Sequence, residues 1–203
     1  MSRWRSGWVL AAVIGTYMVS AATPGHAQFL SDSTTFLDAV QKRDGDKTQE
    51  LLDKKASTMI LSRTPQGESV LHIVVKRRDM VWLQYMLAKG APIDARNRDG
   101  NTALAEAAQI GWAEGANQLL DVGAAVDLAN NRGETPLILA TQSRDLATVR
   151  TLVEHGADPK ITDHVAGMSA HDYAARDGRS GDILKVLDAA KPKPKKAVSG
   201  PSF

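Results

Sequence analysis

The sequence contains no cysteine. That absence removes disulfide frameworks, thiol catalysis and thiolate metal sites. It also removes the lipid-anchored bacterial lipoproteins, whose mature chains begin on cysteine. Positive charge is scarce in the body of the chain. The formal charge of +2 over 203 residues comes from the ends. Setting aside Arg3, Arg5, Lys191, Lys193, Lys195 and Lys196 leaves 19 of the 25 bases against all 23 acids, a body at −4. Such a body is not built for nucleic acid, whatever the overall pI suggests.

Recognisable reaction chemistry is missing too. The glycines form no phosphate-binding loop, and no His pair has the H-E-x-x-H spacing of a zinc site. Asp and Glu are plentiful but scattered over expected turns and outer faces, so no general acid–base pair has a pocket to work in. His72, His155, His164 and His171 fall into no ligand pattern. No catalytic residue, cofactor or metal site is therefore assigned. An enzyme or metal-handling protein would need an unexpected ligand at these histidines.

What the sequence does have is repetition. Gly67, Gly100 and Gly133 are spaced by 33, as are Leu71, Leu104 and Leu137, and the pairs Gly90-Ala91, Gly123-Ala124 and Gly156-Ala157. Each unit opens on a capping hydroxyl, Ser69, Thr102 or Thr135, the last followed by Pro136 at the first helical position. Each closes a second helix on glycine. A period of 33 with a TPLH-like opening signals one turn plus two helices, stacked in series. On these residues, from about Phe36 to Ala190, the chain resembles the ankyrin-repeat family.

The expected order runs as follows. Residues 1–27 read as a secretory signal peptide: Arg3 and Arg5, an apolar run from Trp8 to Ala22, then Pro24-Gly25 as a helix break and a cut after Ala27. A cut after Ala22 or an uncleaved anchor are the alternatives, although the run is short for a bilayer and diluted by Gly15, Thr16 and Ser20. Residues 28–35 form a loose mature start. Residues 36–66 form a capping helix pair, followed by a first finger enlarged by two extra residues between Ser57 and Gln66. Regular units occupy 67–99, 100–132 and 133–166. A terminal unit occupies 167–190, worn where His171 replaces leucine and shifted by one inserted residue near His164–Ala166. A basic, Pro-rich tail fills 191–203. The fold class is all-α, a solenoid of about five stacked helix pairs joined by β-turn fingers.

The resemblance implies a mode of action. Members of the family bind other proteins on the fingers and the concave wall of first helices, without common chemistry or a common ligand. It also implies that His72 hydrogen-bonds between neighbouring turns. The family pattern leaves certain positions free of core duty: Pro65, Gln66, Glu68, Lys76 and Arg77 in the first regular unit; Arg98, Asp99, Asn101, Gln109 and Ile110 in the second; Asn131, Arg132, Glu134, Gln142 and Ser143 in the third; and Val165, Ala166, Met168, Arg176 and Asp177 in the fourth. Trp112 sits where the family is commonly polar, so it reads either as a binding hot spot beside Ile110 or as packing over a neighbouring helix. The expectation is a monomeric, non-catalytic scaffold in the periplasm of a Gram-negative bacterium, holding a protein partner through that surface without nucleic acid or stable membrane insertion. An exported effector acting on a host protein is the alternative with the same fold.

Overall fold

The computed structural model describes residues 24–190, with side chains from residue 32 onward. Most of the signal segment and the whole basic tail lie outside the described residues. Ten helices occupy this range. In chain order they are α1 (Pro24–Lys42), α2 (Gly45–Met59), α3 (Val70–Lys76), α4 (Met80–Ala88), α5 (Ala103–Gln109), α6 (Ala113–Asp121), α7 (Pro136–Gln142), α8 (Leu146–Glu154), α9 (Ala170–Arg176) and α10 (Gly181–Ala189). Among the described residues no helix is long and apolar enough to cross a membrane.

The odd-numbered helices stack in one layer, α1 on α3, α3 on α5, α5 on α7 and α7 on α9, and each pairs with the even helix that follows it. A second layer runs α4, α6, α8, α10. Leu71, Leu104 and Leu137, each at most 1% exposed, fill the space between successive units, as their common register predicts. His171 at the equivalent place pairs with Asp188 at 2.9 Å, with no further unit over it among the described residues. The even helices α4, α6 and α8 close on Gly90, Gly123 and Gly156, all in the left-handed region. There the Gly90 N–H bonds Leu87 and the Ala91 N–H bonds Met86, and the next two units repeat the pattern, so carbonyls left over at each helix end are satisfied.

Three expectations about the first unit are corrected. Residues 28–35 are not a loose start: α1, described from Pro24, runs through them. Pro24-Gly25, expected as a helix break, likewise lies within this helix, which is anchored where Phe36 and Val40 are buried in the core. Nor is the first finger larger. Its turn spans Thr64–Glu68, closed by the Thr64 N–H on the Glu68 carbonyl, in the same way as Asn97–Asn101 and Asn130–Glu134. The extra residues go into α2, which kinks at Lys55 (φ −150°, ψ 46°) and continues to Met59.

Candidate functional site

Each finger is a tight hairpin held by one polar side chain. The amide oxygen of Asn97 accepts the N–H groups of Asp99 and Asn101, and that of Asn130 accepts those of Arg132 and Glu134. In the last unit Asp163 takes the Val165 and Ala166 N–H groups and the Tyr173 hydroxyl. Burial pushes the Asp163 carboxyl up, but these donors outweigh it and hold the group below its ordinary value. The inserted residue is accommodated in this finger. Thr64, Asn97, Asn130 and Asp163 share the 33-residue spacing, a signal in the sequence that marks them out.

The fingers are tied to one another by their backbones. The Arg98 N–H bonds Gln66, the Asn131 N–H bonds Asp99 and the His164 N–H bonds Arg132. Arg63 reaches the Arg96 carbonyl, and Arg96 reaches Ala129. His72 completes the link on the inner side. Its Nε2 meets the Asn101 carbonyl at 2.8 Å, which requires a proton on that nitrogen, while Nδ1 accepts the Ser69 N–H. Desolvation depresses the His72 pKa, consistent with a neutral ring. This is the bond between neighbouring turns that the resemblance implied.

The row of fingers and the inner helices form one continuous wall. On it Gln66, Lys76, Arg98, Asp99, Gln109, Asn131, Arg132, Gln142 and Ser143 are exposed. Glu68 is half-buried and paired with Lys76. Asn101 is half-buried and accepts the Asn130 amide at 2.9 Å. Arg98 and Asp99 therefore stand next to Asn131 and Arg132, on adjacent fingers whose separation the backbone bonds fix.

Several positions expected to be free are occupied with holding the stack. Glu134 is 5% exposed, and its carboxylate takes the Asn130 amide at 2.9 Å, with Arg132 at 3.4 Å and Gln142 at 3.5 Å. Arg77 reaches back to the Val40 and Gln41 carbonyls, both at 2.6 Å, and across to Asp79 at 3.3 Å. The Ser143 hydroxyl reaches back to the Ala108 carbonyl in the same way. Ile110 is half-buried against the core and its carbonyl accepts Arg78.

Trp112 resolves the open choice in favour of packing. It is 6% exposed. A Cβ built on Gly115 would lie 2.1 Å from its Cε3 and 2.4 Å from its Cδ2, so the indole fills the space where a residue-115 side chain would stand. Trp112 also takes the N-cap place that Asp79 and Asp145 hold in the neighbouring units, and α6 accordingly has no side-chain cap.

A second set of side chains clamps the turns between paired helices. Arg43, Arg78 and Arg144 all have φ between +52° and +61°, a region that costs an ordinary residue about 1–2 kcal/mol. Each reaches one unit ahead: Arg43 to Asp79 at 2.5 Å, Arg78 to the Ile110 carbonyl, and Arg144 to both oxygens of Asp177. For Asp79, burial pushes the pKa up but is outweighed by the bonds from Arg43 and the Trp82 N–H, leaving the group below its ordinary value.

One carboxylate on the wall is held more weakly. Glu106, on α5, is 7% exposed. Its Oε1 takes the Asn97 amide at 3.3 Å, with the Lys76 ammonium at 4.0 Å. Desolvation raises its pKa, Glu68 and Asp99 add to that, and Lys76 opposes it. The residues at the same place in the flanking units are Ile73 and Leu139.

Outside the wall, a cleft of about 480 Å³ opens on the end face beside Pro159, Ser169, His171, Leu187 and Asp188. The Ser169 hydroxyl is bonded to Asp172 at 2.6 Å and His171 to Asp188, so no nucleophile–base pair forms there. Among the described residues no three His, Asp or Glu side chains are gathered for a metal ion.

The fold and its register thus define a class, and comparison with known sequences agrees. The family model for ankyrin repeats (3 copies) matches residues 36–128, 82–163 and 106–195, and the chain belongs to the ankyrin-repeat family. It is similar to a putative ankyrin repeat-containing protein of Treponema pallidum, 37% identical over 110 residues, covering 54% of this chain and 37% of that protein. The mouse B-cell lymphoma 3 protein homolog is 29% identical over 136 residues, 64% of this chain and 30% of its own length. Protein PhlB of Serratia liquefaciens is 36% identical over 105 residues, 51% of this chain and 45% of its own. The chain spans less than half the length of each of these relatives.

Proposed function

We propose that this protein is a non-catalytic scaffold that holds a protein partner on the fingers and inner helices of its second and third units. The observation that carries the reading is the finger pair 97–101 and 130–134. Their backbone and asparagine bonds are satisfied internally, while Arg98, Asp99 and Arg132 face solvent at fixed spacing. A preorganised surface loses little on binding. Both charge signs on it favour a specific protein over a polyanion, which would need one sign throughout. The first step is capture of partners from a periplasmic extract with the processed chain. Replacing Arg98, Asp99 and Arg132 together with alanine then weakens the captured complex by at least about 2 kcal/mol, on the usual hot-spot scale, while losing the pair of Arg132 with Glu134 lowers stability by at most about 1 kcal/mol. Unchanged affinity of that variant sinks the assignment of this surface.

Export to the periplasm is part of the proposal. It is supported by the order of charge, apolar run and small residues in 1–27. N-terminal sequencing of exported protein is expected to begin at Gln28, and Met1 retained in the membrane fraction contradicts it.

A further inference from the structure

Glu106 is an acid at a place where both flanking units carry an apolar side chain. The stack is built at this register with Ile73 in the preceding unit and Leu139 in the following one, both buried. In the last unit the same place holds Tyr173, whose hydroxyl bonds the finger residue Asp163, so bracing a finger accounts for a polar group here but not for a full charge, and burying a carboxylate is costly unless it is well paired. Its pairing is poor. One oxygen has a neutral amide at 3.3 Å, and Oε2 has no hydrogen bond among the described residues. The nearest cation, Lys76 at 4.0 Å, bonds Glu68 instead. Glu68 and Asp99 add negative potential around the same spot. Glu106 lies on the inner helix of unit two, directly below the finger whose Asn97 it touches, and so in the floor of the proposed docking wall.

We propose that Glu106 receives an arginine side chain of the protein partner. The inference rests on the docking reading above and names the chemistry that its floor selects. A guanidinium presents parallel N–H donors that both carboxylate oxygens can take at once. It is also less strongly hydrated than an ammonium, which suits a largely buried acceptor. Lys76, exposed at the rim, is the internal competitor: it is bonded to Glu68 and lies 4.0 Å from Glu106, and the incoming guanidinium displaces it.

The test uses the full chain and N-acetyl-arginine amide as probe, followed by two-dimensional amide NMR at millimolar concentrations. N-acetyl-citrulline amide is the neutral isostere. Saturable shifts centred on residues 97–109 are expected with the arginine probe and not with citrulline. E106Q and E106L are expected to bind the probe at least about tenfold more weakly, equivalent to ~1.4 kcal/mol. Both keep the fold, since Leu and Ile already occupy this register. K76M, which removes the competing ammonium, is expected to bind the probe more tightly. The inference is overturned by equal shifts from citrulline, by binding that survives E106Q, by loss in E68Q with retention in E106Q, or by no saturable shift at all. The two readings separate cleanly. A captured partner released by the finger triple variant but held equally by E106Q leaves the docking surface standing and removes Glu106 from it.

Discussion

Replacing Gly115 by alanine tests the packing of the second unit, and intrinsic preference and tertiary packing give opposite answers. Gly115 lies inside α6, where alanine is the better helix former by about 1 kcal/mol, so propensity alone expects stabilisation. Packing expects the reverse. The added methyl would stand 2.1–2.5 Å from three carbons of the buried Trp112 ring. Overpacking of this kind costs about 1–3 kcal/mol, and complete ejection of the indole approaches the ~3–5 kcal/mol of losing a buried tryptophan. The net expectation for G115A is a loss of at least about 1 kcal/mol after the propensity gain. In a Trp112→Asp background the ring is gone. An aspartate at this place faces the Gly115 N–H, as Asp79 faces the Trp82 N–H and Asp145 the Thr148 N–H. There, G115A is expected to stabilise by about 0.5–1 kcal/mol. Urea unfolding of the four proteins, followed by far-ultraviolet circular dichroism, measures the cycle. A stabilising G115A in the wild-type background, or the same sign in both backgrounds, refutes the account of Trp112 as filler of the Gly115 space.

Three other outcomes follow from the same geometry. Leu104→Ala should cost about 2–5 kcal/mol in denaturant unfolding, because Leu104 is 1% exposed between units. Arg144→Ala should be more destabilising than Arg144→Gly. Both lose the partly exposed pair with Asp177, worth at most about 1 kcal/mol, but only glycine relieves φ +58°. For pH, the Glu106 carboxyl is raised above its ordinary value near 4.5. Its charged form therefore weakens the native state most at neutral pH, and the penalty vanishes as pH falls below that value. The stability gain of E106L over wild type should accordingly be largest near pH 7 and shrink toward pH 4. His72 works in the opposite sense. Its depressed pKa makes the native state resist protonation, so its contribution is present above the ordinary 6.5 and is lost as pH falls through that range.

The period of 33 made the stack legible because glycine at a left-handed helix end and leucine between units answer to backbone and packing constraints that every unit shares. Legibility failed where two residues in different places had to be known together. Trp112 could not be assigned from its own position, because what decides its fate is the missing side chain at Gly115. Arg43, Arg78 and Arg144 carry no turn signature, since arginine is not a residue chosen for positive φ. Their bonding partners lie about a unit further along the chain. The two extra residues between Ser57 and Gln66 could lengthen a helix or a finger, and only the course of α2, kinked at Lys55 and continuing to Met59, shows which. Glu106 is a different case. The register was enough to find it, because an acid interrupts a column of Ile73 and Leu139, but attention to exposed positions passed over a buried one.

The same geometry separates the residues that build the wall from those that can act on it. Glu134, Arg77 and Ser143 occupy positions that the family pattern treats as free, yet each bonds across a turn or to a neighbouring unit. Substituting them would confound loss of partner with loss of fold. Arg98 and Asp99 lie in the same finger as Asn97, which carries the turn, and their own side chains make no hydrogen bond among the described residues. Because the turn is held by Asn97 and the spacing by backbone bonds to the neighbouring fingers, the side chains at 98 and 99 can change without moving the platform. That independence allows a repeat scaffold to alter its partner while keeping its stack, and it makes these two positions, with Arg132, the informative place to look for binding.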